Sequence, residues 1–358
     1  MLPFDATDRA SAVVGLYGDP TISWSILLRA ELDTLAKPDE IRARLSAATW
    51  KYPHLGGTPD VTVACAEELP EVRDRFAMRT YHPGEPLMRV AIGATDPVLL
   101  IATHHGALDG LGTLALLGLA LGRPVASGAL GLADRPSGRT FVSSAVSRLA
   151  EALFTPPTRI APRTDQPGPA GDVFTERHLA RTPLGAAGLT SAATRAVRRW
   201  NTAHEARHDR IVAAIGASRR SGADPLPVND STWLRLRVPG DTDAKRLRAM
   251  LADQPPEPDF PARSSRLATL VTRALAGRLG STFLTSNLGV VAVQGGVRAL
   301  SFYPCAGGRS GVAFGAVTTG DRTTITLRAR RRDFDEPAAR ALLGELVRGL
   351  DDPGPRRG

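Results

Sequence analysis

Short apolar runs alternate with longer amphipathic or Leu/Ala-rich stretches along most of the chain, a pattern typical of a mixed α/β protein. β-Branched, alternating or continuously apolar residues predict strands over 21–32, 61–66, 85–93, 98–103, 173–180, 211–215, 233–238 and 281–289. Helical spacing, or an apolar run too long for a strand, predicts helices over 38–50, 111–121, 141–154, 189–206, 241–251 and 267–279. Residues 67–79 are charged and fit either a helix or a loop.

A change of texture between residues 122 and 172 indicates where the chain divides. Gly, Pro and Ser accumulate there around one helical stretch, and the prolines of 155–171 are incompatible with regular structure. We therefore predict an N-terminal subdomain over 1–165 and a C-terminal subdomain over 166–358, each mixing strands with helices.

Titratable side chains interrupt an otherwise apolar part of the N-terminal half, in the stretch Ile101-Ala-Thr-His104-His105-Gly-Ala-Leu-Asp109-Gly110. The apolar run before it is short enough for a buried strand, and the run after it is long enough for a buried helix. The two histidines and Asp109 thus fall on a strand-to-helix turn, where polar groups are costly unless something satisfies or uses them. Two interpretations follow, one functional and one structural. In the structural interpretation these residues have no role in catalysis: both histidines bond to backbone groups and Asp109 caps the helix.

The spacing His104-His105-x-x-x-Asp109-Gly110 resembles the signature of the chloramphenicol-acetyltransferase-like superfamily. That superfamily includes CoA-dependent acyltransferases and the condensation domains of nonribosomal peptide synthetases. Other similarities follow in matching order over nearly the whole chain: Pro86-Leu-Met-Arg-Val90, Ser286-Asn287-Leu288-Gly289, closing strands near 302–304, 311–318 and 323–327, and a last helix over 337–350. The chain lacks the late Asp-Phe-Gly-Trp-Gly motif that the family often carries, and Phe314-Gly315 is the nearest fragment.

The resemblance implies an α/β (α+β) fold of two similar subdomains, each with a mixed sheet flanked by helices, and an active-site channel between them. It implies an acyltransferase or condensation enzyme that moves an acyl group from a thioester to a hydroxyl or amine. His105 would be the general base, since an imidazole with a pKa of about 6.5 accepts protons at neutral pH. Asp109 would pair with an arginine, His104 would orient the backbone around His105, and Gly110 would let the chain turn close to the channel.

The same resemblance gives expectations for substrates and their contacts. The donor would be acyl-CoA or a phosphopantetheinyl carrier protein, the acceptor a small molecule, and no cofactor or metal would be needed beyond the thioester. An oxyanion donor is expected near the reacting carbonyl, with the amides of Gly106 and Gly110 and the hydroxyl of Ser286 as candidates. Asn287 is expected to fix a strand crossover. The alternative is a catalytically degenerate relative that only binds a carrier protein.

A second motif, His204-Glu205-Ala-Arg-His208, predicts a different chemistry. On a helix, histidines four residues apart share a face, so they could hold zinc with Glu205 as general base of a metallopeptidase. Such a site needs a third ligand, yet no histidine follows His208, and Asp224 and Asp230 lie across a Gly/Pro-rich loop. A solvated helix end is the simpler interpretation.

The composition argues against some classes of function, such as nucleic-acid binding, but does not identify the reaction. The net charge of +9 comes almost wholly from arginines. They are spread along the chain without a nucleic-acid recognition motif, and a CoA diphosphate or an acidic carrier would suit this surface equally well. The two cysteines give no disulfide framework. Because no signal peptide or transmembrane run is visible, we expect a cytoplasmic protein with no membrane partner.

Overall fold

The computed structural model describes residues 23–351, except 134, 139, 164–166, 181–183, 221, 223, 241, 259–279 and 307–309. In these ranges the strands are Ser25–Leu32 (β1), Val61–Ala64 (β2), Met88–Gly93 (β3), Val98–His104 (β4), Val125–Ser127 (β5), Asp172–Ala180 (β6), Val212–Ser218 (β7), Ser231–Arg237 (β8), Phe283–Val293 (β9), Val297–Tyr303 (β10), Val312–Thr319 (β11) and Arg322–Arg330 (β12). The helices are Pro38–Lys51 (α1), Leu69–Met78 (α2), Gly110–Leu121 (α3), Phe141–Phe154 (α4), Ala186–Ala203 (α5), Ala244–Asp253 (α6) and Glu336–Asp351 (α7).

The strands form two mixed sheets. Sheet A has the order β10-β1-β4-β3-β2, with β2 and β3 parallel and the other neighbours antiparallel. Sheet B has the path β6-β12-β11-β9-β7-β8, with β9 parallel to both β7 and β11, and β5 pairs with β9 beside this path. Helices flank both sheets, so the predicted α/β fold with two mixed sheets is confirmed.

Each sheet buries an apolar face against its helices. On sheet A, Leu28 of β1 lies in one cluster with Leu45 of α1 and Leu117 of α3. The opposite face of sheet A packs through Leu100 of β4 against Phe76 of α2. One face of sheet B is covered by α5 and α7, which contribute alanines and leucines to the largest cluster. In that cluster, Val197 of α5 and Leu343 of α7 lie together with Phe314 of β11. These clusters consist mainly of small and aliphatic side chains, in keeping with the low aromatic content of the chain.

Each half of the chain completes the sheet of the other. β10 is the edge strand of sheet A although it lies late in the chain, and β5 joins sheet B although it lies early. Helix α4 also reaches across, because Ser144 donates to the carboxylate of Glu257 at 2.8 Å. The subdomain boundary at 165/166 stays a prediction, and these contacts cross it.

The structure differs from the expected elements at several ends. The charged segment after β2 forms helix α2, and α5 ends at Ala203 rather than near 206. The early end has a visible cause: the Ala206 amide and the Arg207 carbonyl bond back to Asn201, at 2.8 Å and 2.6 Å. The predicted helix over 267–279 and the first two residues of the predicted strand over 21–32 lie outside the described residues.

Candidate active site

The histidine pair lies where β4 ends and α3 begins. β4 runs through Val98–His104, and His104 pairs with Ser25 at the start of β1. The His105 amide then donates to the Trp24 carbonyl at 2.8 Å. Asp109 caps α3, because its Oδ1 accepts from the amide of Gly112 at 2.6 Å. The turn between strand and helix is therefore fixed at both ends by backbone hydrogen bonds.

His104 is buried and bonds to the backbone of the turn. Its Nδ1 accepts from the Gly106 amide at 3.1 Å, and its ring packs edge-on against Tyr81 with centroids 5.3 Å apart. Burial, with the nearby His105 and Arg89, lowers the pKa of His104 to about 4. The neutral ring therefore carries its proton on Nε2 at pH 7, since Nδ1 is an acceptor. The resemblance implied that His104 orients the backbone around His105; the structure shows His104 bonded to the backbone of this turn, and the role itself stays a prediction.

His105 is half-buried at the start of the turn. Burial lowers its pKa below the usual value, and the carboxylate of Asp109 and backbone groups of Leu108 and His105 itself oppose that shift. A neutral imidazole is the form that accepts a proton, so His105 can serve as a general base near pH 7.

Asp109 has partners on both sides of the turn. Its Oδ1 lies 3.5 Å from the guanidinium of Arg220, and its Oδ2 accepts from the amide of Asp230 at 2.9 Å. Asp109 and Arg220 are both largely shielded from solvent, with side chains 5% and 9% exposed. Asp109 therefore caps the helix, as the structural interpretation expects, and also lies beside an arginine, Arg220, as the resemblance implied.

Arg220 and Asp230 belong to one segment of the C-terminal half, here called the clasp segment: the described residues of 219–231, which exclude 221 and 223. Arg220 also donates to the carbonyls of Leu226 and Val228, which shapes the segment itself. His54, which follows α1, contacts the Pro227 carbonyl through Nε2 at 2.9 Å. Sequence reasoning did not connect the clasp segment with the histidine pair, because no spacing rule relates residues more than a hundred positions apart.

Gly110 lies close against the apolar core, where any larger residue would require neighbouring side chains to shift. A Cβ there would lie 2.8 Å from Cζ of Phe302 and 2.9 Å from Cδ2 of Leu288, both in the apolar core. Such distances are shorter than any relaxed carbon–carbon contact. The glycine therefore lets the first turn of α3 approach β9 and β10 closely.

The other predicted substrate contacts have defined surroundings. The Gly106 amide donates to His104, so in this structure it does not serve as an oxyanion donor. Ser286 lies on β9 beside Gly216 of β7, where a Cβ on that glycine would come within 3.0 Å of the Ser286 hydroxyl. Asn287 accepts from the Gly289 amide at 2.8 Å and donates to the Leu184 carbonyl at 2.5 Å. Those contacts stabilise β9 where its backbone passes through a left-handed residue, Gly289.

The zinc interpretation required a helix that the structure does not have at this place. Because α5 ends at Ala203, the motif continues into a turn, in which Glu205 has a φ of 52°. The His204 ring stacks on Trp200 with centroids 4.2 Å apart, and the exposed His208 contacts the Ala206 carbonyl. Among the described residues, no group of three or more His, Cys, Asp or Glu side chains could hold a metal ion. The two histidines therefore do not share a helix face, and the simpler interpretation of a solvated helix end fits this part of the structure.

A cleft of about 300 Å³ lies away from the histidine pair, against the face of sheet A that α2 covers. Glu31 and Pro97 line it, at the end of β1 opposite to Ser25 and His104. The predicted channel beside His105 is thus a different place and stays a prediction. In the part of the chain that the structure describes, no helix has both the length and the apolarity to cross a membrane.

Comparison with solved structures finds proteins of similar fold, whereas comparison with family models and curated sequences finds no match. A double mutant of the starter condensation domain of rhizomide synthetase RzmA, in complex with C8-CoA and Leu-SNAC, is 16% identical, with 98% of this chain and 94% of that chain covered and a TM-score of 0.59. A single mutant of the same domain in complex with C8-CoA is 15% identical, with the same coverage and TM-score.

An epimerization domain gives a further similarity. The domain from the third module of tyrocidine synthetase B is 13% identical, with 92% of this chain and 91% of that chain covered and a TM-score of 0.53. At such identities the likeness establishes the fold alone. These domains share the chloramphenicol-acetyltransferase-like fold that the histidine motif predicted.

Proposed function

We propose that this chain, which has the fold of condensation domains, transfers an acyl group from a thioester to a hydroxyl or amine. The observation that carries the proposal is the state of His105: a half-buried imidazole, neutral near pH 7, on a turn that both halves of the chain hold. That placement matches what a general base in this fold needs.

The reaction needs no covalent intermediate on the protein. His105 takes the proton of the acceptor as its oxygen or nitrogen attacks the thioester carbonyl. The tetrahedral intermediate then collapses, the C–S bond breaks, and the thiolate leaves and is protonated by the imidazolium. A positioned base of this kind contributes about 10²–10⁴-fold to the rate, and holding both substrates in register supplies much of the rest.

Two thioester donors fit the proposal, acyl-CoA and an acyl carrier protein with its phosphopantetheinyl arm. The similar RzmA domain was crystallised with C8-CoA, which makes that compound a rational first donor. The reaction can be followed by release of the CoA thiol and by mass spectrometry against a panel of amines and alcohols. The acceptor and the choice between ester and amide product then follow from the mass of the product.

Replacing the base tests the proposal. We expect His105→Ala to lower the rate of acyl transfer about 10²–10⁴-fold, because the acceptor must then lose its proton to water. His208→Ala, which removes an exposed histidine distant in sequence, is the matched control and should keep the wild-type rate. Transfer by His105→Ala at close to the wild-type rate would exclude the base role.

The carrier-binding alternative has its own signature. If the chain is a degenerate relative, the wild type and the His105→Ala variant should bind an acyl carrier protein equally well, and neither form should release thiol. Wild-type turnover that a metal chelator leaves unchanged would also exclude the zinc interpretation.

A further inference from the structure

One carboxamide of the clasp segment holds the backbone of the histidine turn. Asn229 donates through Nδ2 to the His105 carbonyl at 2.8 Å, and the Gly106 carbonyl lies 3.4 Å from the same nitrogen. Its Oδ1 accepts from the amide of Ser231 at 3.1 Å and from the Ser231 hydroxyl at 2.7 Å. The carboxamide is therefore oriented within its own segment while it donates to the other half of the chain.

The backbones on either side of Asn229 reinforce this contact. The Asp230 amide donates to Asp109, and the Val228 carbonyl lies 3.5 Å from the Asp109 amide. A Cβ on Gly112 would come within 2.3 Å of the same Val228 carbonyl. Residues 228–230 thus lie against the turn and the first turn of α3 at a distance that only glycine at position 112 permits.

We propose that Asn229 is a positioning residue for His105. The proposal rests on the proposed function and deepens it, because it names what fixes the base. The peptide between His105 and Gly106 carries the base on one side and has its carbonyl held by Asn229, so its plane cannot rotate without breaking that bond. The C-terminal half thereby sets the direction in which the imidazole projects.

The hydrogen bonds made by the side chain at position 229 require a carboxamide. Only a carboxamide of this size offers a donor for the two carbonyls and an acceptor for Ser231 at once. A carboxylate in its place would face two carbonyl oxygens without a proton to donate, although it has the same shape.

Asn229→Asp is the test, with C8-CoA as donor and the acceptor found in the product survey. We expect kcat to fall about 10- to 100-fold, the loss typical of a small misplacement, while KM for C8-CoA changes less than about threefold. The added charge beside the turn should also move the acid limb of the pH profile to higher pH. The fall in kcat at a nearly unchanged KM is the result that a purely structural role would not give. Asp224→Asn, an exposed residue of the same segment, is the control and should leave kcat unchanged.

A measurement without turnover separates this proposal from the proposed function. In NMR spectra of protein labelled at histidine, the His105 ring signals, assigned by their loss in His105→Ala, should shift in Asn229→Asp and titrate at higher pH. Unchanged His105 signals, or a kcat within about threefold of wild type, would overturn the positioning role. If His105→Ala stays active while the signals still shift, only the proposed function fails.

Ser231→Ala keeps the test decisive where Asn229→Asp does not fold. That change leaves Nδ2 in place and removes one of the two hydrogen bonds that orient the carboxamide. We expect a kcat about 3- to 10-fold lower, in line with the loss of one hydrogen bond worth about 1 kcal/mol. A wild-type kcat in Ser231→Ala would then contradict the proposal.

Discussion

At the scale of single residues, the charge on Asp109 controls the proton affinity of the base. The Asp109 carboxylate raises the pKa of His105, against the larger effect of burial. Removing that negative charge must lower the pKa further, and the remaining positive charge of Arg220 acts in the same direction.

Two substitutions should therefore move the pH profile in opposite directions. In Asp109→Asn the acid limb of kcat/KM is expected to shift to lower pH, since a weaker base stays unprotonated in more acidic solution. In Arg220→Gln the carboxylate loses its neutralising partner, so the limb should shift to higher pH. Rates measured from about pH 4.5 to 8.5 check both signs, and a shift of both variants in the same direction would contradict this electrostatic arrangement.

Sequence reasoning predicted the turn of His104 and His105 because strand, histidines, cap and helix are adjacent in the chain. The cap of Asp109 follows from such local spacing, whereas the orienting role of His104 was implied only by the family resemblance. Arg220 and Asn229 could not be found in this way, because they reach the turn from the other half and nothing in their neighbourhood distinguishes them from an ordinary polar loop.

At the scale of elements, one carboxylate ties the two sheets together. Glu176 of β6, in sheet B, accepts a hydrogen bond from the Tyr303 hydroxyl of β10, in sheet A, at 2.7 Å. Burial pushes the pKa of Glu176 upward, but hydrogen bonds from His178, Ser301 and Tyr303 and the charge of Arg29 outweigh it, and the pKa falls to about 2.

This arrangement predicts a stability that depends on pH. A carboxyl with a folded-state pKa below its unfolded value of 4.5 stabilises the fold fully above pH 4.5 and loses that contribution as the pH falls toward 2. Glu176→Gln should lower the free energy of unfolding at pH 7 by up to about 3 kcal/mol, and the difference from wild type should shrink between pH 4.5 and 2. Urea unfolding curves of both proteins at several pH values measure this difference in the free energy of unfolding.

An exposed glutamate of α2 provides the control for that experiment. Glu71→Gln should change the free energy of unfolding by less than about 0.5 kcal/mol, as is usual for surface substitutions. A difference between Glu176→Gln and wild type that stays constant from neutral to strongly acidic pH would show that the carboxylate is not held as described.

The periodicity of the chain predicted most elements correctly and failed where tertiary contacts decide. Helix α5 ends early because Asn201 bonds back to the chain after it, which no helical spacing reveals. The short strand β5 has only three residues and exists because it pairs with β9. Helix ends and short edge strands thus depend on neighbours that are distant in sequence.

At the scale of the whole molecule, the exchange of strands makes the halves interdependent. Without β10, sheet A would lose its edge and the buried side chains of Leu300 and Phe302, which lie in the same cluster as Leu28. A fully buried side chain of this kind contributes about 1.5–3 kcal/mol, a large share of the stability of a small domain.

Fragments cut at the predicted boundary should therefore not fold alone. We expect residues 1–165 and 166–358, expressed separately, to lack a cooperative thermal transition, and their co-expression to restore a complex that melts cooperatively. Circular dichroism and size-exclusion chromatography measure both properties. A fragment 1–165 that melts cooperatively by itself would show that the boundary at 165/166 separates independent domains.

The proposed acyl transfer depends most on the imidazole of His105, on a turn that both halves of the chain hold. The direct measurement is the single-turnover rate of acyl transfer from C8-CoA in wild type and in His105→Ala, with enzyme in excess so that product release does not contribute. We predict a loss of about 10²–10⁴-fold with donor binding retained. An unchanged single-turnover rate in His105→Ala would contradict the account.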